Sequence, residues 1–229
     1  MKSLIKYSVV VVFIAGIAIG CNKLPEYPVE PSITFNDVYF KKGDLADSLF
    51  VVLDFKDGDG DLGLDENYDT EYPYQTFWYF LKNDGSYLTY EDRNTPPYDT
   101  LPPYEFPYYC TNYSEESDGV IYYVQPNENH YNYFIDFYVK KNGSYDLFDW
   151  YSVYSSCDET YNGRYPILNE SGKERPLEGK LIYKITGARI ENIFKRDTLR
   201  LEIYIKDRAL HNSNTVQSFD FVLKDITIN

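Results

Sequence analysis

The chain has 229 residues, a formal net charge of −14 and 18% aromatic residues, 26 of them tyrosine. So acidic a surface argues against nucleic acid or anionic lipid as a partner, because both carry the same sign of charge. It suits a solvated exported protein, or one that collects cations.

Residues 1–20 place Lys2 and Lys6 ahead of an apolar run from Val9 to Ile19, too short to span a bilayer and therefore read as a secretory signal. The run ends in Ala18-Ile19-Gly20-Cys21, which resembles the lipobox of bacterial lipoproteins, with alanine where leucine is commoner. That resemblance implies cleavage before Cys21, acylation of its thiol, and a lipid-anchored place in the cell envelope, with the outer membrane expected. Loss of the signal removes two lysines and no acid, so the mature chain is more acidic still. Residues 21–32 hold Pro25, Pro28 and Pro31 and no periodicity, which reads as an extended tether.

Alternation dominates residues 33–229, expected to form one domain. Ile33 to Phe40 reads as a first strand, bulged at Asn36-Asp37, and Leu49, Val51, Leu53 and Phe55 share one face of a second. Thr76 to Leu81 is apolar on both faces and reads as a central strand. Further strands are expected at Val120 to Val124 and Tyr131 to Lys140. Towards the C-terminus, Leu181, Tyr183 and Ile185 alternate, then Leu199, Leu201, Ile203 and Ile205, then Phe219, Phe221 and Leu223 as a last strand. No stretch after the signal has a convincing helical period. The expected class is all-β, an immunoglobulin-like β-sandwich. A Tyr/Pro-rich insertion is expected at about 82–179, with a separate second domain as the alternative; its Asn94 to Pro107 stretch holds five prolines and reads as irregular.

The second strand runs into Asp57-Gly58-Asp59-Gly60-Asp61, acids two apart with glycines between. Calcium takes six to eight hard oxygens, and such a segment can wrap one. The match to an EF-hand loop fails, since Leu62 stands where glycine is required at position 6 and Tyr68 where glutamate is required at position 12. Asp65, Asp69 or another part of the chain must then complete a Ca2+ site. The competing reading is a plain solvated turn, because Asp-Gly is itself a turn signal.

With Cys21 acylated, Cys110 and Cys157 remain as an even pair in an oxidising compartment. A disulfide is expected, with two buried free thiols as the alternative; closing the intervening loop would contribute about 4 kcal/mol by the chain-entropy estimate.

Phe55 to Leu64, followed late in the chain by Asp207-Arg208-Ala209-Leu210-His211-Asn212-Ser213-Asn214, resembles a group of Bacteroidetes lipoproteins without an assigned activity. That group carries F-x-D-G-D-G-D-[IL]-G and a later D-R-A-G-N-x-S-N. The resemblance covers the signal and the first and last strands, not the tyrosine-rich middle. The chain departs from it at Leu210 and His211, where the group has Gly and Asn. In an immunoglobulin-like sandwich the two loops share one end, so Asp207 would supply oxygens that the acidic loop lacks, against the alternative of a local Asp207-Arg208 ion pair.

Catalysis is not expected: His130 and His211 are the only histidines, both placed in loops, and neither Gly-x-Ser-x-Gly nor His-Glu-x-x-His occurs. Tyrosine and tryptophan suit glycan or protein ligands, and Trp78, Trp150, Tyr108, Tyr109, Tyr151 and Tyr154 are the candidates, against half-buried packing on sheet faces. Two roles follow: a glycan- or protein-binding lipoprotein, or a structural subunit of an envelope assembly. An exposed aromatic row favours the first, a broad flat apolar patch the second.

Overall fold

The computed structural model describes residues 25–43, 46–69, 71–150, 160–186 and 189–228. In chain order its strands are β1 (Ser32–Lys41), β2 (Ser48–Asp57), β3 (Phe77–Tyr79), β4 (Tyr113–Glu115), β5 (Ile121–Pro126), β6 (Tyr133–Lys141), β7 (Ser144–Leu147), β8 (Leu177–Thr186), β9 (Leu199–Ile205), β10 (Val216–Gln217) and β11 (Thr227–Ile228). Two short helices, α1 (Tyr108–Thr111) and α2 (Arg189–Phe194), join them.

Two four-stranded sheets, ordered β11-β1-β2-β8 and β10-β9-β6-β7, make the sandwich. The period-2 pattern explains its core. Leu49, Val51, Leu53 and Phe55 of β2 are buried with Leu181 and Ile185 of β8, and they share one cluster with Tyr133, Ile135, Phe137 and Val139 of β6 and Leu199, Leu201, Ile203 and Ile205 of β9. The β1–β2 register shifts between Phe35 and Asp37, the expected bulge, and there the Asn36 amide donates to Asp54 at 2.6 Å. Asn142 and Gly143, both at positive φ, close the β6–β7 hairpin. Among the described residues no helix is long and apolar enough to cross a membrane.

Several expectations need correction. The stretch at about 82–179 is not one insertion, because β6 and β7 are strands of the second sheet; residues 66–132, with the small sheet β3-β5-β4, are what lies outside the sandwich. Thr76 to Leu81 is no central strand. Only Phe77–Tyr79 forms a strand, at the edge of the small sheet, with Leu81 adding an isolated bridge to Tyr87, and Tyr79, Phe80 and Leu81 are exposed. Nor do Phe219, Phe221 and Leu223 form a strand: Phe219 is exposed, Phe221 makes an isolated bridge to Leu199, and Leu223 begins a 3₁₀ turn. The buried Phe221 and Leu223 carry the apolar signal through single anchoring contacts, not through a ladder. The two helices, four and six residues long, are too short to register as a 3.6-residue period.

Candidate metal centre

The strand alternation that builds the core also buries two acids. Asp57 follows Leu49, Val51, Leu53 and Phe55 at a spacing of two on β2, and Asp207 follows Leu199, Leu201, Ile203 and Ile205 in the same way beyond β9. Both therefore point inward at one end of the sandwich, and they are 0% and 1% exposed. The two loops do meet there. The Ala209 amide donates to Asp61 Oδ2 at 3.0 Å, and the Arg208 amide to the Asp61 carbonyl at 3.4 Å.

Between Asp57 and Leu64 the backbone is held from several sides. The Asp61 amide donates to Asp57 Oδ2 at 3.1 Å, the Arg175 amide to the Asp59 carbonyl at 2.9 Å, and the Leu168 amide to the Leu62 carbonyl at 3.1 Å. Gly63, at φ +105°, lies so close to Pro166 that a Cβ there would sit 2.2 Å from the Pro166 carbonyl oxygen. A Cβ on Gly58 would sit 2.5 Å from the carbonyl oxygens of Tyr27 and Pro28, so the segment entering β1 passes directly over the loop.

These contacts leave one oxygen on each of three carboxylates without a partner. Asp57 Oδ1, Asp59 Oδ1 and Asp61 Oδ1 are all buried and accept no hydrogen bond, and carboxylate oxygens of the three residues converge within 4.8 Å of one another. Burying anionic acceptors without donors is costly, and the ordinary remedies are a proton or a cation. Burial, reinforced by the charges of Asp59 and Asp61, pushes Asp57 up to about 7. Burial and the charges of Asp207 and Asp59 push Asp61 up to about 6, against the Ala209 hydrogen bond and the Arg208 charge. Burial also raises Asp207.

Of the six acids singled out in the sequence, the side chain of Asp69 lies outside what the structure describes, and the other five part company. Asp57, Asp59 and Asp61 converge. Asp207 is adjacent, but its oxygens are engaged by His211: the amide donates to Oδ1 at 2.7 Å, and Nδ1 lies 2.9 Å from Oδ2. The Asp207 carboxylate raises His211 in turn. Asp65 stands apart, accepting from the Asn67 amide at 2.9 Å in an Asx turn. Nor does Arg208 pair with Asp207. Its guanidinium donates to the carbonyls of Gly63 at 3.1 Å and Leu62 at 3.4 Å.

The late motif is a set of staples. Asn214 exchanges two 2.9 Å hydrogen bonds with the Ile33 backbone, and Ser213 exchanges two with Ile205, at 2.9 and 3.0 Å. Leu210, where the resembling group has glycine, keeps the left-handed backbone at φ +69°. Among the other residues considered, His130 is half-buried, with Nδ1 3.1 Å from the Tyr74 carbonyl and 2.8 Å from Arg164 Nη2. Trp150 packs into the core, edge-on to Phe137, Phe148, Tyr161 and Phe194. Tyr108 and Tyr109 lie on α1, and Trp78 lies on β3. Cys21, Tyr151, Tyr154 and Cys157 fall outside the described residues.

Sequence reasoning missed Ala209, whose amide has no side-chain signature. It also missed Tyr72, Tyr79 and Tyr87, which stand exposed around Trp78 but were lost among 26 tyrosines. No protein-family model matches the chain, and neither does any curated protein or solved structure. What fold and site together define is an all-β sandwich with a cluster of three carboxylates at one end, each keeping one buried oxygen without a partner.

Proposed function

We propose that this chain is a lipid-anchored envelope protein whose β-sandwich is completed at one end by Ca2+ and which serves a non-catalytic binding role. One observation carries the metal: Asp57, Asp59 and Asp61 each keep a buried carboxylate oxygen without a donor, and the three residues bring carboxylate oxygens within 4.8 Å of one another. All three are hard donors, which suits Ca2+ over softer ions. Asp57, Asp59 and Asp61 would hold the ion, while Asp207 and Ala209 fix the loop from the second sheet. The ion would neutralise the cluster and cross-link β2 to the turn after β9.

The anchor rests on the signal and lipobox-like stretch ending at Cys21. The tether leaves the sandwich at the acidic end, where Tyr27 and Pro28 overlie Gly58 and the Tyr27 hydroxyl donates to Glu178 at 2.7 Å, so the metal end faces the membrane in this reading. The Cys110–Cys157 bridge belongs to the same exported setting and is supported by the bonded state of Cys110. Exposed aromatic side chains on the small sheet favour a ligand-binding role, glycan or protein, over a purely structural subunit.

Terbium luminescence tests the metal directly. Tb3+ mimics Ca2+ and is sensitised by nearby tyrosines such as Tyr74 and Tyr165, whose titration is raised by burial first and then by neighbouring groups that include the charges of Asp61 and Asp207. Saturable emission that Ca2+ displaces, and that Asp59→Ala abolishes, is the expected result. Emission insensitive to Asp59→Ala would overturn the assignment.

A further inference from the structure

The small sheet β3-β5-β4 carries an open groove of about 910 Å3. Its rim is aromatic. Tyr72 is 81% exposed and Tyr87 54% exposed, Tyr79 and Leu81 are also exposed, and Trp78 is half-buried between them. Large apolar side chains gathered in water around one groove mark a candidate interaction site.

The groove is built as well as exposed. Tyr72 meets Trp78 edge-on with ring centroids 5.7 Å apart, and Tyr79 meets Tyr87 at 5.5 Å. The Tyr79 hydroxyl and the Ser114 hydroxyl both donate to Glu116 Oε1, the latter at 3.0 Å, which fixes a carboxylate at the groove edge. Asn127 is buried, and its amide donates to the carbonyls of Pro73 at 2.7 Å and Gln75 at 2.6 Å, holding the segment that carries Tyr72 against β5.

Two further features narrow the ligand. Gln75 lines the groove, and its amide oxygen is buried without a hydrogen-bond donor. A buried acceptor left unmet calls for a donor that the protein does not supply. Among the described residues no lysine, arginine or histidine lines the groove and Glu116 is its one carboxylate, so an anion would meet repulsion and no compensating charge. A sugar ring offers the matching pair of surfaces: an apolar C–H face for an aromatic ring and a rim of hydroxyls that donate and accept.

We propose that this groove binds a neutral oligosaccharide, with sugar rings stacked on Trp78 and Tyr72 and hydroxyls reaching Glu116 and Gln75. The inference rests on the binding role above and gives that role its site and its ligand class.

The chain has two tryptophans, and Trp150 is partly buried against the core and does not line this groove, so a change in intrinsic emission on binding that Trp78→Ala abolishes reports Trp78. The full chain in detergent is titrated with neutral hexose and pentose oligosaccharides, with uronic-acid oligomers alongside, and affinities are confirmed by calorimetry. A saturable emission shift with at least one neutral oligosaccharide and none with the uronic series is expected. Tyr72→Ala and Trp78→Ala should each weaken that affinity about tenfold, and Tyr72→Ala should leave the melting temperature unchanged, since the residue stands in solvent. The proposal is overturned if no neutral oligosaccharide saturates, or if binding survives both substitutions unaltered. A protein ligand captured by the wild type and lost with Tyr72→Ala would overturn the saccharide assignment and leave the binding role standing. If neither saccharide nor protein depends on Tyr72 or Trp78, the binding role falls with it.

Discussion

Ala209 donates its backbone N–H to Asp61 Oδ2 at 3.0 Å across 148 residues of sequence, and through that bond the acidic loop after β2 is joined to the turn after β9. The two sheets are thus linked at one end by polar contacts around a cluster of buried carboxylates whose repulsion the Ala209 hydrogen bond and the Arg208 charge offset only in part. Without a cation, that end works against the fold.

A first prediction concerns this opposition. In metal-free buffer at pH 8, Asp57→Asn should raise the stability of the protein, because it removes a buried charge that repels Asp59 and Asp61. The expected gain is about 2 kcal/mol, shared among coupled carboxylates. The same substitution should abolish the response to Ca2+. Chemical denaturation with and without chelator measures both, and loss of stability in the metal-free variant would contradict the account.

The pH profile of the metal-free protein should slope unusually. Asp57 titrates at about 7 and Asp61 at about 6 in the fold, against 3.8 ordinarily. Between about pH 4 and about pH 7 the native state therefore binds more protons than the unfolded chain, so stability falls as pH rises through that window. Ca2+ competes with those protons, and its apparent affinity should weaken roughly 10- to 100-fold from pH 7.5 to pH 5.5. Melting temperatures with and without Ca2+ should converge towards low pH and separate as pH rises through that window; parallel curves would refute the linkage.

The turn after β9 predicts an ordering of variants at Leu210. Its φ of +69° costs an L-residue on the order of 1–2 kcal/mol, and a β-branched side chain suffers more. Leu210→Gly should match or exceed the wild type in stability, offset only by the loss of a half-buried side chain, whereas Leu210→Val should fall below both by about 1 kcal/mol. A valine variant as stable as the glycine variant would show that the turn does not need this conformation.

Much of the sandwich was legible because its strands are long and half-buried, so the period of two survives in the residues themselves. Leu199, Leu201, Ile203 and Ile205 are an unbroken example, and the bulge at Asn36-Asp37 was readable because polar residues interrupt the alternation there. The pairing of the two loops was legible from topology and motif together. What failed did so for identifiable reasons. Phe77-Trp78-Tyr79 is as apolar as a central strand but lies on an edge, and composition does not distinguish burial from display. The role of Tyr72 depends on a neighbour, Trp78, whose ring geometry is tertiary. The three oxygens left without donors could be found only after every backbone amide around them had been assigned a partner.

The anchor is tested separately. Cys21 acylation predicts that the protein partitions into the detergent phase on phase separation, and that Cys21→Ala leaves it in the aqueous phase or uncleaved. Unchanged partitioning by the variant would remove the lipid anchor from the account.

The most direct test of the central claim is the melting temperature of the full chain in millimolar Ca2+, in chelator, and in NaCl of matched ionic strength. Binding to the native state alone contributes RT ln(1 + [L]/Kd), about 2.7 kcal/mol at a hundredfold excess over Kd. The account predicts a rise of several degrees with Ca2+, a fall with chelator and little effect of NaCl. Asp59→Ala should remain folded and lose the Ca2+ response entirely, and Asp207→Ala should weaken it through the linked turn. A wild-type melting temperature that is the same in Ca2+ and in chelator would contradict the claim and reduce the Asp57–Asp61 loop to a turn.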